Sequence, residues 1–320
     1  MSRSSIDVRR RLTLRGLLAT TSLVFIVVTV FSMGATWFWI ADLIANLRIQ
    51  ILIAGACLLL INALAREKWL LFPLCLGMAF HCSFCGEFFQ SAQIGSAKGT
   101  AVRVASINVL TSNSKHRLII EEIRRLDADV VAVLELSSTL AERLRMELVE
   151  KYPHQIIHPL DRSNFGIGLL SRSELTGPDV FELNETIVSI SAYTKGFRVI
   201  ATHPLPPMNQ ALFKSRNAHL RLLSERINAT DDQTKTIVMG DFNVTPWSPH
   251  FHRFERRSSL RRATKGNTIT PTWYGIDDQF LFGLPLDHVL ISSDLDCTGY
   301  EVGNDFGSDH RAVMVDVMVR

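Results

Sequence analysis

The stretch Val238-Met239-Gly240-Asp241-Phe242-Asn243 runs an apolar strand straight into Gly-Asp-x-Asn. Gly240 permits a tight exit from the strand, and Asp241 and Asn243, two residues apart, point the same way from an extended backbone. A carboxylate and an amide so placed suit a hard cation and a phosphate oxygen. The same pair is also a common Asx-turn, so its meaning depends on what neighbouring strands bring to it.

Working outward, strands are expected at Val102 to Asn108, Val130 to Leu134, Phe165 to Leu170, Thr186 to Ala192, Phe197 to Thr202, Thr236 to Met239, Val289 to Ser292 and Ala312 to Val319. Helices are expected at His116 to Leu126, where Ile119, Ile120, Ile123 and Leu126 share a face, along Leu140, Leu144 and Leu148, and over Met208 to Ile227. So many short strands with so few helices exceed one doubly wound sheet; two packed sheets with helices outside bury them all.

Polar residues recur where these strands end. Glu135 closes the apolar run DVVAVLE, a position where an uncompensated carboxylate is costly. Asn108 closes the first strand, and His203 closes RVIATH before the rigid Pro204-Leu205-Pro206-Pro207. Gly307-Ser308-Asp309-His310-Arg311 precedes the last strand, offering a ligand and a proton acceptor side by side. Asp287, in Leu286-Asp287-His288-Val289, can accept the second imidazole N–H of His310 and fix its tautomer, whereas His288 reads as structural. Each alone is a strand-end polar residue meeting solvent; six strand ends delivering such groups together are harder to dismiss.

This ordered series, Asn108, Glu135, His203, GDFN at 240–243, LDHVLIS at 286–292 and SDHRAV at 308–313, resembles the endonuclease/exonuclease/phosphatase superfamily over residues 101–320. The resemblance implies an α/β fold of four αββα layers: a deoxyribonuclease-like two-sheet β-sandwich flanked by helices. It further implies Glu135 as principal Mg²⁺ ligand, with Mn²⁺ as a substitute and Asn108 and Asp309 close to the same ion. Asp241 and Asn243 would orient the attacking water and the phosphate, His203 would bind the phosphate or assist the leaving oxygen, and His310, held by Asp287, would be the second catalytic imidazole. The general base stays open between His310 and Asp241. The chain departs from the pattern at Leu134, where Gln is frequent, and in its short domain. It also lacks the tryptophan-led Gly-Asp-x-Asn and the Cys-Asp-Arg of the inositol phosphatases.

The N-terminal third differs in kind. The chain has 320 residues, 47% hydrophobic and 20% charged, with net charge +3, which excludes disorder, collagen and a disulfide scaffold. Its first 100 residues hold 9 Lys/Arg against 4 Asp/Glu, leaving 25 against 27 for the rest, so no net-basic surface for gripping duplex DNA exists at domain level. Three runs lack charge: Gly16 to Ala41, Ile49 to Ala65 and Trp69 to Gly86, with Trp37, Trp39 and Trp69 at run ends. They predict about three transmembrane helices in residues 1–88, a linker at 89–100 and the catalytic domain at 101–320. Arg3, Arg9, Arg10, Arg11 and Arg15 before the first run, with Arg66 and Lys68 later, place the N-terminus inside and the domain on the extracytoplasmic side. A cleaved signal peptide is the competing reading of the first run. Cys82 and Cys85 form a C-x-x-C best read as apolar filler.

A basic cluster, Arg253, Arg256, Arg257, Arg261, Arg262 and Lys265 with Phe251 and Phe254 interleaved, is either an exposed helix face or a contact for phosphate groups. Two functions stand: a multi-pass membrane phosphoesterase acting on phosphodiesters of nucleic acid or phospholipid headgroups, or a non-catalytic membrane receptor or scaffold retaining the fold.

Overall fold

Strands that are apolar on both faces leave themselves no solvent side, and this chain stacks them as two sheets with helices outside. The structure, a computed structural model, describes residues 3–85, 101–184, 187–229, 234–263, 269–276 and 279–319. It divides into Met1–Gln90 with Trp247–Pro249, and Ser91–Pro246 with His250–Arg320. The expected linker at 89–100 and Lys265 lie outside the described residues.

The N-terminal unit is helical: α1 Arg3–Ser32, α2 Trp39–Asn46, α3 Arg48–Leu64 and α4 Lys68–Cys82. The stretch Thr13–Thr36 has mean hydropathy 2.1 and is the one helical stretch, among the described residues, long and apolar enough to cross a membrane by itself. Leu17, Leu23, Val24, Val27 and Val30 on it are exposed, consistent with membrane anchoring. The expected continuous run from Gly16 to Ala41 is broken. The chain leaves α1 through a 3₁₀ turn containing Gly34, Phe38 is extended, and helix resumes at Trp39. With 17 and 15 residues, α3 and α4 are short for a span, and α2 with α3 reaches the length only through a 67° bend. Close packing defines the unit: a Cβ at Gly55 or Gly77 would lie 2.8 or 2.7 Å from the Phe25 ring. All five cysteines are free, those of the C-x-x-C included.

The second unit runs β1 Val102–Asn108, α5 His116–Leu126, β2 Val130–Leu134, α6 Ser138–Glu147, β3 His154–His158, β4 Ile167–Ser171, β5 Thr176–Leu183, β6 Ile187–Thr194, β7 Phe197–Thr202 and α7 Gln210–Asn228. It continues with β8 Thr236–Asp241, α8 Pro249–Ser258, β9 Arg261–Arg262, β10 Trp273–Tyr274, β11 Gly283–Leu284, β12 Asp287–Ile291, β13 Leu295–Val302 and β14 Val313–Val319. The sheet orders are β13-β14-β1-β2-β4-β3 and β5-β6-β7-β8-β12-β9, with β10-β11 a separate small hairpin. These sheets and helices form the expected four layers.

Period-two alternation sorts the core. Val104, Val130, Ala132 and Leu134 meet Val199, Ala201, Ile237 and Met239 between the sheets. Ala105, Val131 and Val133 face outward onto Ile119 and Ile123 of α5 and Leu140 and Leu144 of α6. Ile200, Val238 and Leu290 likewise face Leu220 and Leu223 of α7 and Phe251 and Phe254 of α8. Two parallel pairs position the chemistry. In β1–β2, Asn108 lies beside Leu134, one residue before Glu135; in β7–β8, Thr202 lies beside Gly240, one residue before His203 and Asp241. The antiparallel partner β12 sets Asp287 opposite Asp241.

Candidate active site

Asn108 continues the inward parity of Val104, so its amide reaches the space at the strand ends; its Nδ2 donates to Glu135 Oε1 at 3.0 Å and to Asp241 Oδ2 at 3.2 Å. Glu135 sits on the wrong parity for that direction. Its backbone turns left-handed there, with φ 58°, and the carboxylate meets the amide. Such a conformation costs a non-glycine residue about 1 kcal/mol. Leu110 and Asn243 are left-handed as well, at 59° and 51°. Leu110 donates its N–H to Asn108 Oδ1 at 3.1 Å. Thr111 binds Glu135 twice, N to Oε2 at 3.3 Å and Oγ1 to the carbonyl at 3.0 Å.

Beside this oxygen cluster lies a buried chain of alternating carboxylates and imidazoles. His310 Nδ1 donates to Asp287 Oδ2 at 2.8 Å, while its Nε2 lies 3.6 Å from Asp241 Oδ2. His203 Nε2 lies 3.4 Å from the same Asp241 oxygen. Burial alone would lower the His310 pKa, but the flanking Asp287 and Asp241 push it up to about 10. Burial alone would raise Asp241, yet His310 and His203 hold it down at about 2. Burial also opposes a charge on His203, and the hydrogen bond to Asp241 together with the charges of Asp241 and Glu135 outweighs it and raises the pKa. Asp287 is raised, chiefly by burial. His288 points away, its Nε2 2.8 Å from the Val244 carbonyl, and burial keeps it neutral, the structural part expected of it.

Two of the expected residues take positions their spacing does not reveal. Asn243 does not offer its amide outward: Nδ2 donates to the Pro204 carbonyl at 3.0 Å, and its N–H to Asp241 Oδ1 at 2.9 Å. Asp309 is exposed, and its carboxylate accepts the Trp273 indole N–H at 3.0 Å. Several supporting residues were not legible beforehand. Ser308 Oγ donates to the Asn108 carbonyl at 2.9 Å and accepts the His310 N–H at 3.0 Å. Thr272 Oγ1 accepts the Asp287 N–H at 3.0 Å, and the buried Arg216 donates to the Asn243 carbonyl at 3.1 Å. Ser308 and Thr272 come from irregular segments whose composition carries no periodic signal, whereas Arg216 is a buried arginine inside α7, an expected helix that gave no sign of this contact.

The donor set can be weighed for a divalent ion. Asp241, Asp287 and His310 offer ligand atoms within 4.8 Å of one another, but Asp287 and His310 are bonded to each other. The better fit is the oxygen cluster: among the described residues the Glu135 carboxylate accepts only from the neutral Asn108 amide and the Thr111 N–H, and that same amide is shared with Asp241. Two buried carboxylates with one neutral donor between them suit a hard cation.

Comparisons with known proteins agree on the architecture. An endonuclease/exonuclease/phosphatase from Beutenbergia cavernae superposes with a TM-score of 0.57 at 19% identity, covering 69% of this chain and 72% of that one. D. rerio TDP2 complexed with single strand DNA product gives 0.58 at 15%, covering 68% and 99%. Sphingomyelinase C from Streptomyces griseocarneus gives 0.52 at 15%, also covering 68% and 99%. No curated protein sequence matches the chain. The family model described as Endonuclease/Exonuclease/phosphatase matches residues 105–310, which takes in every strand-end residue described above, and the chain belongs to that family.

Proposed function

We propose that the chain is a membrane-anchored, divalent-metal-dependent phosphodiesterase. The observation that carries this reading is the buried sequence Asp287–His310–Asp241–His203, linked through Asn108 to Glu135. Asp287 orients the His310 ring and turns its Nε2 toward Asp241 and the space beside it, where the imidazolium can donate to a phosphate oxygen. Asp241, kept ionised, is the group able to take a proton from water; His203 shares its oxygen and supplies a second positive donor. Asn243 positions this base through its N–H and does so from a left-handed turn. Glu135 and Asp241 would hold Mg²⁺ or Mn²⁺, with the Asn108 amide between the two carboxylates and Asp309 at the exposed rim. Such an ion neutralises phosphate charge and polarises the P–O bond.

The fold is shared with one protein solved with a single-strand DNA product and with a sphingomyelinase C, which supports a diester substrate. The domain plan follows the sequence: membrane region 1–88, linker 89–100, catalytic domain 101–320. The multi-pass arrangement with an extracytoplasmic catalytic domain rests on the arginines ahead of the apolar stretch of α1 and on Arg66 and Lys68. The test uses the full chain in detergent with bis(p-nitrophenyl) phosphate and Mg²⁺. Turnover that is lost on chelation and in Glu135→Ala and His310→Ala is expected. Absence of turnover across Mg²⁺ and Mn²⁺, or turnover unaffected by either substitution, overturns the reading.

A further inference from the structure

Away from the strand ends, α7 and α8 pack side by side on the outer face of the second sheet, held by Leu220, Leu223, Phe251 and Phe254. Between them lies a cavity of about 300 Å³ whose charged wall is Arg221, Arg253 and Arg257, with Asn217 and the buried His250 beside them. Among the described residues no carboxylate lines it. Arg253 and Arg257 are four residues apart on one helix, a like-charge spacing that opposes helix formation unless something neutralises it. Neither has a carboxylate partner among the described residues, and only Arg221 is paired, through Nη1 to Glu225 at 2.7 Å. The orientation of Asn217 is fixed, because its Oδ1 accepts Arg216 Nε at 3.1 Å and Nη2 at 2.8 Å. Its Nδ2 therefore turns the other way, toward His250 at 3.5 Å.

We propose that this cavity is a second phosphate-binding site, in which the three guanidiniums close on a single phosphate group and the Asn217 amide supplies a neutral donor. Guanidinium forks match phosphate oxygens in pairs, and a concave wall of one sign concentrates the field. The volume admits a phosphate with a small substituent, either as a free ester or as the headgroup of a phospholipid. It is a pit rather than a track, and the unit around it has no basic excess, so a polynucleotide backbone is the poorer match. The site is joined to the catalytic loop: Asn217 holds Arg216, and Arg216 holds the Asn243 carbonyl at 3.1 Å.

Equilibrium dialysis of the full chain in phosphatidylcholine nanodiscs against radiolabelled inorganic phosphate tests it. Wild type should bind one more phosphate per chain than Arg253→Ala/Arg257→Ala, or bind it more than about tenfold more tightly. Arg256→Ala, one position off the cavity wall, should behave as wild type. Circular dichroism melting reports folding independently of turnover, and Arg253→Lys/Arg257→Lys, which keeps charge but not the fork, should give intermediate affinity if the alanine pair does not fold. Nanodiscs containing phosphatidic acid separate the sources: occlusion of the extra site assigns it to a headgroup, and unchanged phosphate binding assigns it to a free ester. Equal phosphate binding by wild type and a folded double variant overturns the proposal. So does an equal loss in Arg256→Ala, or a single-stranded oligonucleotide that binds through these arginines without competing with phosphate.

Discussion

The two large sheets share a middle. In one it is β14-β1-β2-β4, in the other β12-β8-β7-β6, and each is a parallel pair flanked by antiparallel strands. What differs is the cargo at the ends of the parallel pair. The first sheet ends in Asn108 and Glu135, which meet neutral donors; the second ends in His203 and Asp241, which form a titrating pair. One backbone pattern used twice therefore yields two chemistries, an oxygen cluster suited to a cation and a set of groups that hold and move protons. The Asn108 amide is where the two meet.

The sharpest way to break this division is to neutralise each side without changing its shape. Glu135→Gln should cost turnover about a thousandfold and raise the Mg²⁺ concentration needed for half-maximal rate. His310→Gln should cost turnover by about 10²- to 10⁴-fold and leave the Mg²⁺ dependence where it was. Parallel shifts in both titrations would erase the distinction.

A structural contrast comes next. A Cβ at Gly240 would lie 1.8 Å from the Thr202 carbonyl oxygen, a backbone atom that cannot step aside. Gly240→Ala should therefore cost about 3 kcal/mol in a denaturant melt, at the high end for overpacking; a loss below about 1 kcal/mol would mean that β7 and β8 are not held so closely. Asn108→Ala leaves two buried carboxylates without their shared donor, and about 1–3 kcal/mol should be lost in chelator. A neutral result would sever the proposed junction between the sheets.

The smallest effect is on pH dependence. His310 is raised in the folded chain from 6.5 to about 10, so its contribution to stability is complete below 6.5 and is lost as pH rises through about 10. The metal-free melting temperature should fall across that window, and His310→Gln should flatten the slope. A slope unchanged in the variant would assign it to other groups.

Legibility in the sequence divides along the same sheets. All eight interior strands are expected from the sequence, and in strands buried along their whole length, such as β2, β7 and β8, burial on both faces demands apolar residues. The four edge strands are not among those expected. β5 contains Gly177 and Pro178 and is largely exposed, β13 is bulged between Cys297 and Gly299, β3 is half-buried throughout, and β9 is two residues long. The basic cluster of α8 reads from the sequence as either an exposed helix face or a phosphate contact, and the structure gives a helix, with Phe251 and Phe254 buried on its inner side. At the site, strand-end residues are visible because a polar group terminating an apolar run is conspicuous. What Asn243 and Asp309 touch is invisible, since Pro204 and Trp273 reach them only through tertiary folding. The N-terminal helices show the limit of composition: absence of charge does not report the break at Gly34 or the 67° bend.

Of the left-handed non-glycine residues, which also include Asp127, Lys195 and Ser259, the three at the site, Leu110, Glu135 and Asn243, are where resistance to heat meets the chemistry. Glycine at any of the three would relax the backbone, but at 135 it removes a carboxylate and at 243 the amide that grips Pro204. Only Leu110, whose contribution to Asn108 is a main-chain N–H, offers relief that leaves the side-chain chemistry intact. Durability and activity are thus in tension at two of these three positions, and a search for robust variants begins at the third.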